Sequence, residues 1–206
     1  MTILHQYNIT ASDSQSGDAA YTFEHLFPVD FTQVQYATPQ EYVNMYWNAY
    51  KQTNSNSNLN GHVFEYIIET LLIREGIIPF YTQTVMNLVP GISFDVILYS
   101  KDNYGRKPYC LSLKTSCRER WKQADLEGEA LKHVHRRAVC YLLTMSTPEV
   151  GGIRRKINSG DVFALDKIID CSTTDINTLI DELKTLSLYQ NEQIYVINRK
   201  RGRLIQ

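Results

Sequence analysis

An α/β domain with a mixed central β-sheet flanked by helices is the fold class this chain predicts, and three observations predict it. Helical and strand periodicities alternate in the order helix, strand, strand, strand, helix, strand. Two alternating apolar runs, 92–99 and 109–115, are joined by the polar segment "SKDNYGRKP", which reads as a hairpin loop. No internal repeat and no second regime of composition interrupts the 206 residues, so one domain is expected over 1–206.

Each element has its own signal. Residues 1–37 are polar and weakly periodic and are expected as a loose N-terminal arm. "TPQEYVNMYWNAY" opens with Thr38, Pro39 and Glu41: an N-cap, a proline at the first helical position and a capping-box acid. An aromatic-rich helix should follow, and "TNSNSNLNG" after it is a loop by composition. "GHVFEYIIETLLIREG" sets Val63, Ile67 and Leu71 beside Phe64, Ile68 and Leu72 on a helix that stops near Gly76. Strands are expected at 77–82, 92–99 and 109–115, then a long helix over 117–137 and the strand "AVCYLLTM". A Gly-Gly loop, a mixed segment, the helix "DINTLIDELKTL" and a last strand "QIYVIN" complete the chain.

Hydrophobic content of 43% with 21% charge is ordinary for a water-soluble domain. No apolar run reaches the length of a membrane span, and the first thirty residues lack a signal-peptide layout, so a cytoplasmic protein with no membrane partner is expected. Cys110, Cys117, Cys140 and Cys171 are irregularly spaced, which argues against structural zinc and against disulfides. Net charge is −1, so no global basic field announces nucleic acid. Locally the balance differs. Lys114 to Arg137 holds seven Lys or Arg against four acids, and Arg154–Lys156 and Arg199–Arg203 form further clusters. These read as phosphate-following patches or as solvated surface charge.

Four features carry chemistry. Asp95 interrupts the apolar run "GISFDVILY", where a buried carboxylate must be paired, hydrogen-bonded or bound to metal. Strand alternation puts Lys114 on one face with Cys110 and Ser112, so Asp95 and Lys114 can meet at the open end of a hairpin, as a plain ion pair or as a working one. On the following helix, Trp121, Ala124, Gly128, Leu131, His135 and Ala138 recur at helical spacing as the face against the sheet. Glu127 lies about 50° from the middle of that face, whereas Asp125 and Glu129 point away. Two carboxylates and a lysine suit Mg²⁺-assisted phosphodiester hydrolysis, with Glu65 as a supporting contact or simply a helix-surface acid. Arg118, Glu119 and Arg120 open the helix. Ser116 and Glu119 make a capping box, but basic side chains in a first turn oppose the helix dipole. Arginine reads guanine O6 and N7 and an acid accepts from cytosine N4, so the triplet suits G·C pairs.

The segment 94–127 resembles the PD-(D/E)XK nucleases, and within them the type II restriction endonucleases of the EcoRII and SsoII kind. Asp95 on one strand, Lys114 on the next, the run "KTSCRERWKQ" and Glu127 thirteen residues after Lys114 carry the likeness. Two positions depart from it. Ser112 stands where the family label has Asp or Glu, a loss the related subgroup offsets by moving the acid to the following helix, and Phe94 replaces the motif proline. The resemblance implies a restriction-endonuclease-like core at 61–145 and Mg²⁺-dependent double-strand cleavage of a short palindromic DNA site with outer CC/GG pairs. Asp95 and Glu127 would hold the metal, Lys114 would assist the water, and Glu65 would support them. Arg118, Glu119, Arg120 and Lys122 would contact DNA. It also implies a homodimer, since one site cuts one strand, a prokaryotic cytoplasm, and a cognate methyltransferase acting on the same sequence. A repair or junction nuclease of the same fold and a non-catalytic DNA-binding module are the alternatives.

Overall fold

The structure, a computed structural model, describes residues 1–53, 57–86, 89, 91–102, 105–190, 196–197 and 203–206. Its centre is a mixed sheet in the order β5-β4-β3-β2-β1-β6, with β7 also on β1. The strands are β1 (Phe80–Met86), β2 (Phe94–Asp102), β3 (Gly105–Lys114), β4 (Val139–Thr144), β5 (Lys167–Asp170), β6 (Val196–Ile197) and β7 (Arg203–Ile205). β1, β2 and β3 run antiparallel, whereas β3, β4 and β5 are parallel. The helices are α1 (Ile3–Gln6), α2 (Ala19–Glu24), α3 (Pro39–Gln52), α4 (Asn60–Arg74), α5 (Arg120–Val134), α6 (Thr147–Ser159) and α7 (Asp175–Lys184).

Alternation along the strands builds two cores. Val96, Leu98, Leu111, Leu113 and Leu143 face α3, α4 and α7, which add Tyr42, Phe64, Ile67 and Leu179. Ile97, Tyr99, Cys110, Cys140 and Leu142 face the other way, under α5 and α6 with Ala124, Leu131, Val150 and Ile153. All four cysteines are free and buried. Among the described residues no helix is long and apolar enough to cross a membrane.

Several boundaries differ from expectation, each for a local reason. Residues 1–37 are not a loose arm: Leu4, Phe23 and Phe31 are buried, and Phe23 stacks on Tyr46 with centroids 4.8 Å apart. β1 starts at Phe80 rather than 77, because Pro79 lacks the N–H a ladder needs. The expected hairpin loop is mostly strand, paired out to Asp102↔Gly105; residues 103 and 104 lie outside the described residues. Gly151 and Gly152 lie inside α6, not in a loop, and the mixed segment is α6 plus β5. Of the last expected strand only β6 falls within the described residues, as does Arg203 alone of the third basic cluster. Thr38 does cap α3, accepting the Glu41 N–H at 3.2 Å while the Glu41 carboxylate accepts from Ala37 N at 2.5 Å.

Candidate active site

The β2–β3 ladder ends at Val96↔Leu111, and one residue further the strands part. There the Asp95 carboxylate replaces the missing backbone partner: its Oδ2 accepts from Leu113 N at 2.8 Å and from Lys114 Nζ at 2.8 Å. On its far side β3 continues in parallel pairing to Lys114↔Thr144, so Lys114 is held at the last rung of a central strand. The two side chains are 12% and 11% exposed. A pair this dry recovers little net stability after desolvation, so fold stability alone does not account for it. Burial pushes the Lys114 ammonium down, but Asp95 at contact, with Glu127 and Glu65 beyond, outweighs it and holds the group above its ordinary value.

Glu127, on α5, lies within electrostatic reach of this pair. It is half-buried and accepts from Gln123 Nε2 at 2.7 Å. Burial raises its carboxyl above the usual range; Lys114 and the Gln123 hydrogen bond oppose that, and Asp95 adds to it. α5 sits close because Gly128 has no side chain: a Cβ there would meet Ala164 Cβ at 3.1 Å and Cys140 Sγ at 3.1 Å. The buried face of the helix is Ala124, Asp125, Gly128 and Leu131. Asp125 therefore does not point away as expected. Its carboxylate accepts from the backbone N–H groups of Phe163, Ala164 and Leu165 at 2.9, 2.7 and 3.0 Å, capping a loop that brings no sequence signal of its own.

Glu65 reaches the site from α4, close enough for its charge to raise the Lys114 ammonium, and pairs with His62 Nδ1 at 3.1 Å. One turn on, Glu69 is 3% exposed. Burial drives its carboxyl well above the usual range; Glu65 and Asp95 push the same way and Arg203 opposes them. Glu65, Glu69, Thr82, Gln83 and Arg203 line a cavity of about 500 Å³. Among the described residues no three His, Cys, Asp or Glu side chains gather as a metal cage.

The segment 116–122 lies beside this cluster in sequence and differs from expectation. α5 begins at Arg120, with Glu119 as its N-cap making no side-chain cap hydrogen bond, so the Ser116–Glu119 capping box does not form. Glu149 of α6 takes the work instead, accepting from Cys117 N at 2.6 Å and Arg118 N at 2.9 Å. Burial would raise the Glu149 carboxyl, but hydrogen bonds from Ser146, Cys117 and Arg118 hold it below its usual range. Cys117 is fully buried as the anchor, while Arg118, Glu119, Arg120 and Lys122 are exposed, Glu119 meeting Lys122 at 2.5 Å.

No family model and no curated protein matches the chain. Among solved structures, it is similar to a complex of the restriction endonuclease PspGI with substrate DNA, at 18% identity over 77% of this chain and 72% of that one, with a TM-score of 0.48.

Two residues of this region escaped the sequence reading, and a third was read only as part of a basic cluster. Glu69 had a signal, as a carboxylate surrounded by Ile67, Ile68, Leu71 and Leu72 in a helix with little polar surface. Glu149 also had one, following Ser146 and Pro148 as an acid in a helix first turn. Arg203 was read in the cluster 199–203, but nothing local placed it beside Glu69: β7 has three residues, and its NH1 donates to Ile9 O at 3.1 Å, a contact across almost the whole chain.

Proposed function

We propose that this chain is a Mg²⁺-dependent, site-specific deoxyribonuclease of the restriction-endonuclease-like class, acting on double-stranded DNA, with its catalytic core at 61–145. The observation that carries the reading is the Asp95–Lys114 pair at 2.8 Å, at the end of a β-hairpin, with Glu127 half-buried within electrostatic reach.

The donors fit a hard divalent cation. Among the described residues both hydrogen bonds to the Asp95 carboxylate fall on Oδ2, which leaves Oδ1 for an ion, and the raised Glu127 carboxyl is a half-buried group that a cation would relieve. Mg²⁺ needs only one or two protein carboxylates, completing its shell with water and phosphate oxygens, so the lack of a three-ligand cage suits it. When bound by Asp95 and Glu127, it would supply phosphate polarisation and a more acidic water. Lys114, held charged by Asp95, stabilises the negative charge that grows on the phosphate. The backbone N–H of Leu113 fixes the Asp95 rotamer. Glu65 supports the cluster from α4.

Arg118, Glu119, Arg120 and Lys122 are free of the core and contact the duplex, the arginines reading outer G·C pairs. Cutting both strands of a two-fold site calls for a homodimer, and a methyltransferase acting on the same sequence would protect the cell's own DNA. Incubation with a plasmid of known sequence and Mg²⁺, followed by sequencing of the ends, tests this. Discrete ends at one short palindrome with outer CC/GG pairs are expected. Cutting confined to mismatches or branches would assign a structure-specific nuclease, and no cutting at all would leave only a binding module.

A further inference from the structure

We propose that the exposed face of α6 is a second DNA-backbone contact, continuous with segment 118–122, with Arg155 and Lys156 on phosphates flanking the bases that are read. This rests on the reading of the chain as a DNA endonuclease. The structure divides the basic cluster 154–156. All three side chains are exposed, but Arg154 is tied to the protein, donating to Asp175 Oδ2 at 2.6 Å.

Two contacts lock α6 to the start of α5. Glu149 accepts the Cys117 and Arg118 N–H groups, and Lys156 Nζ lies 5.7 Å from the Trp121 ring centroid. Residues 149 and 156 are two turns apart on one helical line, so that line faces the reading segment along its length. Lys122 Nζ lies 5.9 Å from the same ring centroid. Trp121 thus joins Lys122 and Lys156 into one basic surface with Arg118 and Arg120. Glu119 and Glu149 keep their charge, one paired with Lys122 and one turned onto two backbone amides, but the five cations Arg118, Arg120, Lys122, Arg155 and Lys156 outnumber these two acids.

Within α6, Gly151 and Gly152 agree with this. Each costs roughly 1 kcal/mol against alanine in a helix interior. A Cβ built at either one meets nothing within 4 Å, so among the described residues no neighbour requires the missing side chain. A bare helix surface of this kind admits the close approach of a partner from outside. The chemistry that fits exposed cations beside a bare helix surface, next to a base-reading segment, is a duplex sugar-phosphate backbone. Such contacts position a protein on DNA without reading sequence.

The test compares the wild type with R155A/K156A, measuring Kd for a duplex bearing the mapped site and for a scrambled duplex, in Ca²⁺ from 50 to 200 mM salt. Two lost phosphate contacts make the log–log salt slope shallower by about 1.8, so the affinity lost over that range shrinks roughly tenfold. Kd should rise by the same factor on both duplexes, leaving their ratio unchanged. A separate variant, G151A/G152A, should melt no lower than the wild type yet bind DNA more weakly. An unchanged slope and Kd in R155A/K156A, with specific binding by the wild type intact, overturns this inference alone. Absence of any DNA binding by the wild type overturns it together with the endonuclease reading.

Discussion

Where β2 and β3 part, a single oxygen of Asp95 serves both the Leu113 amide and the Lys114 ammonium, and the charge of Asp95 acts on the Glu127 carboxyl through space. A desolvated cluster of this kind is costly to keep, which is the physical reason to expect chemistry from it. Glu69 extends it toward the cavity and supplies a pH test. Its folded carboxyl binds a proton more tightly than in the unfolded chain, so stability is greatest below the ordinary carboxylate pKa and falls as pH rises through the raised folded value. Glu69→Gln should flatten that fall in thermal melts taken from about pH 5 upward; an unchanged pH profile would show that Glu69 does not titrate in the folded state as its burial requires. For recognition, Arg118→Ala or Arg120→Ala should cost roughly 1–3 kcal/mol of discrimination at an outer G, measured as the Kd ratio between cognate and single-substituted duplexes. Equal weakening on every duplex would reassign these arginines to phosphates. The Asp95–Lys114 meeting was legible because strand alternation is a local rule. Glu69 was passed over because the periodic apolar lines around it dominated the reading of α4.

α5 carries Glu127, and helical spacing rightly set Ala124, Gly128 and Leu131 against the sheet, but the partners that fix the helix come from distant segments. Gly128 lets it lie against Cys140 and Ala164, and Asp125 ties it to the loop at 163–165. Gly128→Val should therefore destabilise the fold by about 1–3 kcal/mol through overpacking, read from urea denaturation. A neutral result would mean that α5 can shift outward freely. The same dependence explains what the sequence concealed. Asp125 looked outward by helical phase because its partners lie thirty-eight to forty residues downstream. The capping box at Ser116 and Glu119 was a sound local signal overridden by Glu149, which arrives from another helix. α6 was read as a Gly-Gly loop and a mixed segment because Gly151 and Gly152 are poor helix formers, and Gly160 closes it at φ +78°.

At the scale of the molecule, the sheet order places β3 at the junction of an antiparallel half and a parallel half, and Lys114 at its end. The element order foretold the mixed sheet, since the hairpin and the helix between β3 and β4 both have strong periodic signals. It did not foretell the packing of the first thirty-seven residues, whose buried side chains, Leu4, Ile9, Phe23 and Phe31, are too irregularly spaced to form a pattern. Convergence of strand and helix on one charged cluster is a property of the whole fold, and a single substitution interrogates it. Lys114→Ala and the wild type should be compared on one plasmid, with cleavage measured in Mg²⁺ and DNA affinity in Ca²⁺. The variant should lose cleavage while its affinity survives; strong residual cutting by the variant would overturn the roles given to Asp95, Lys114 and Glu127.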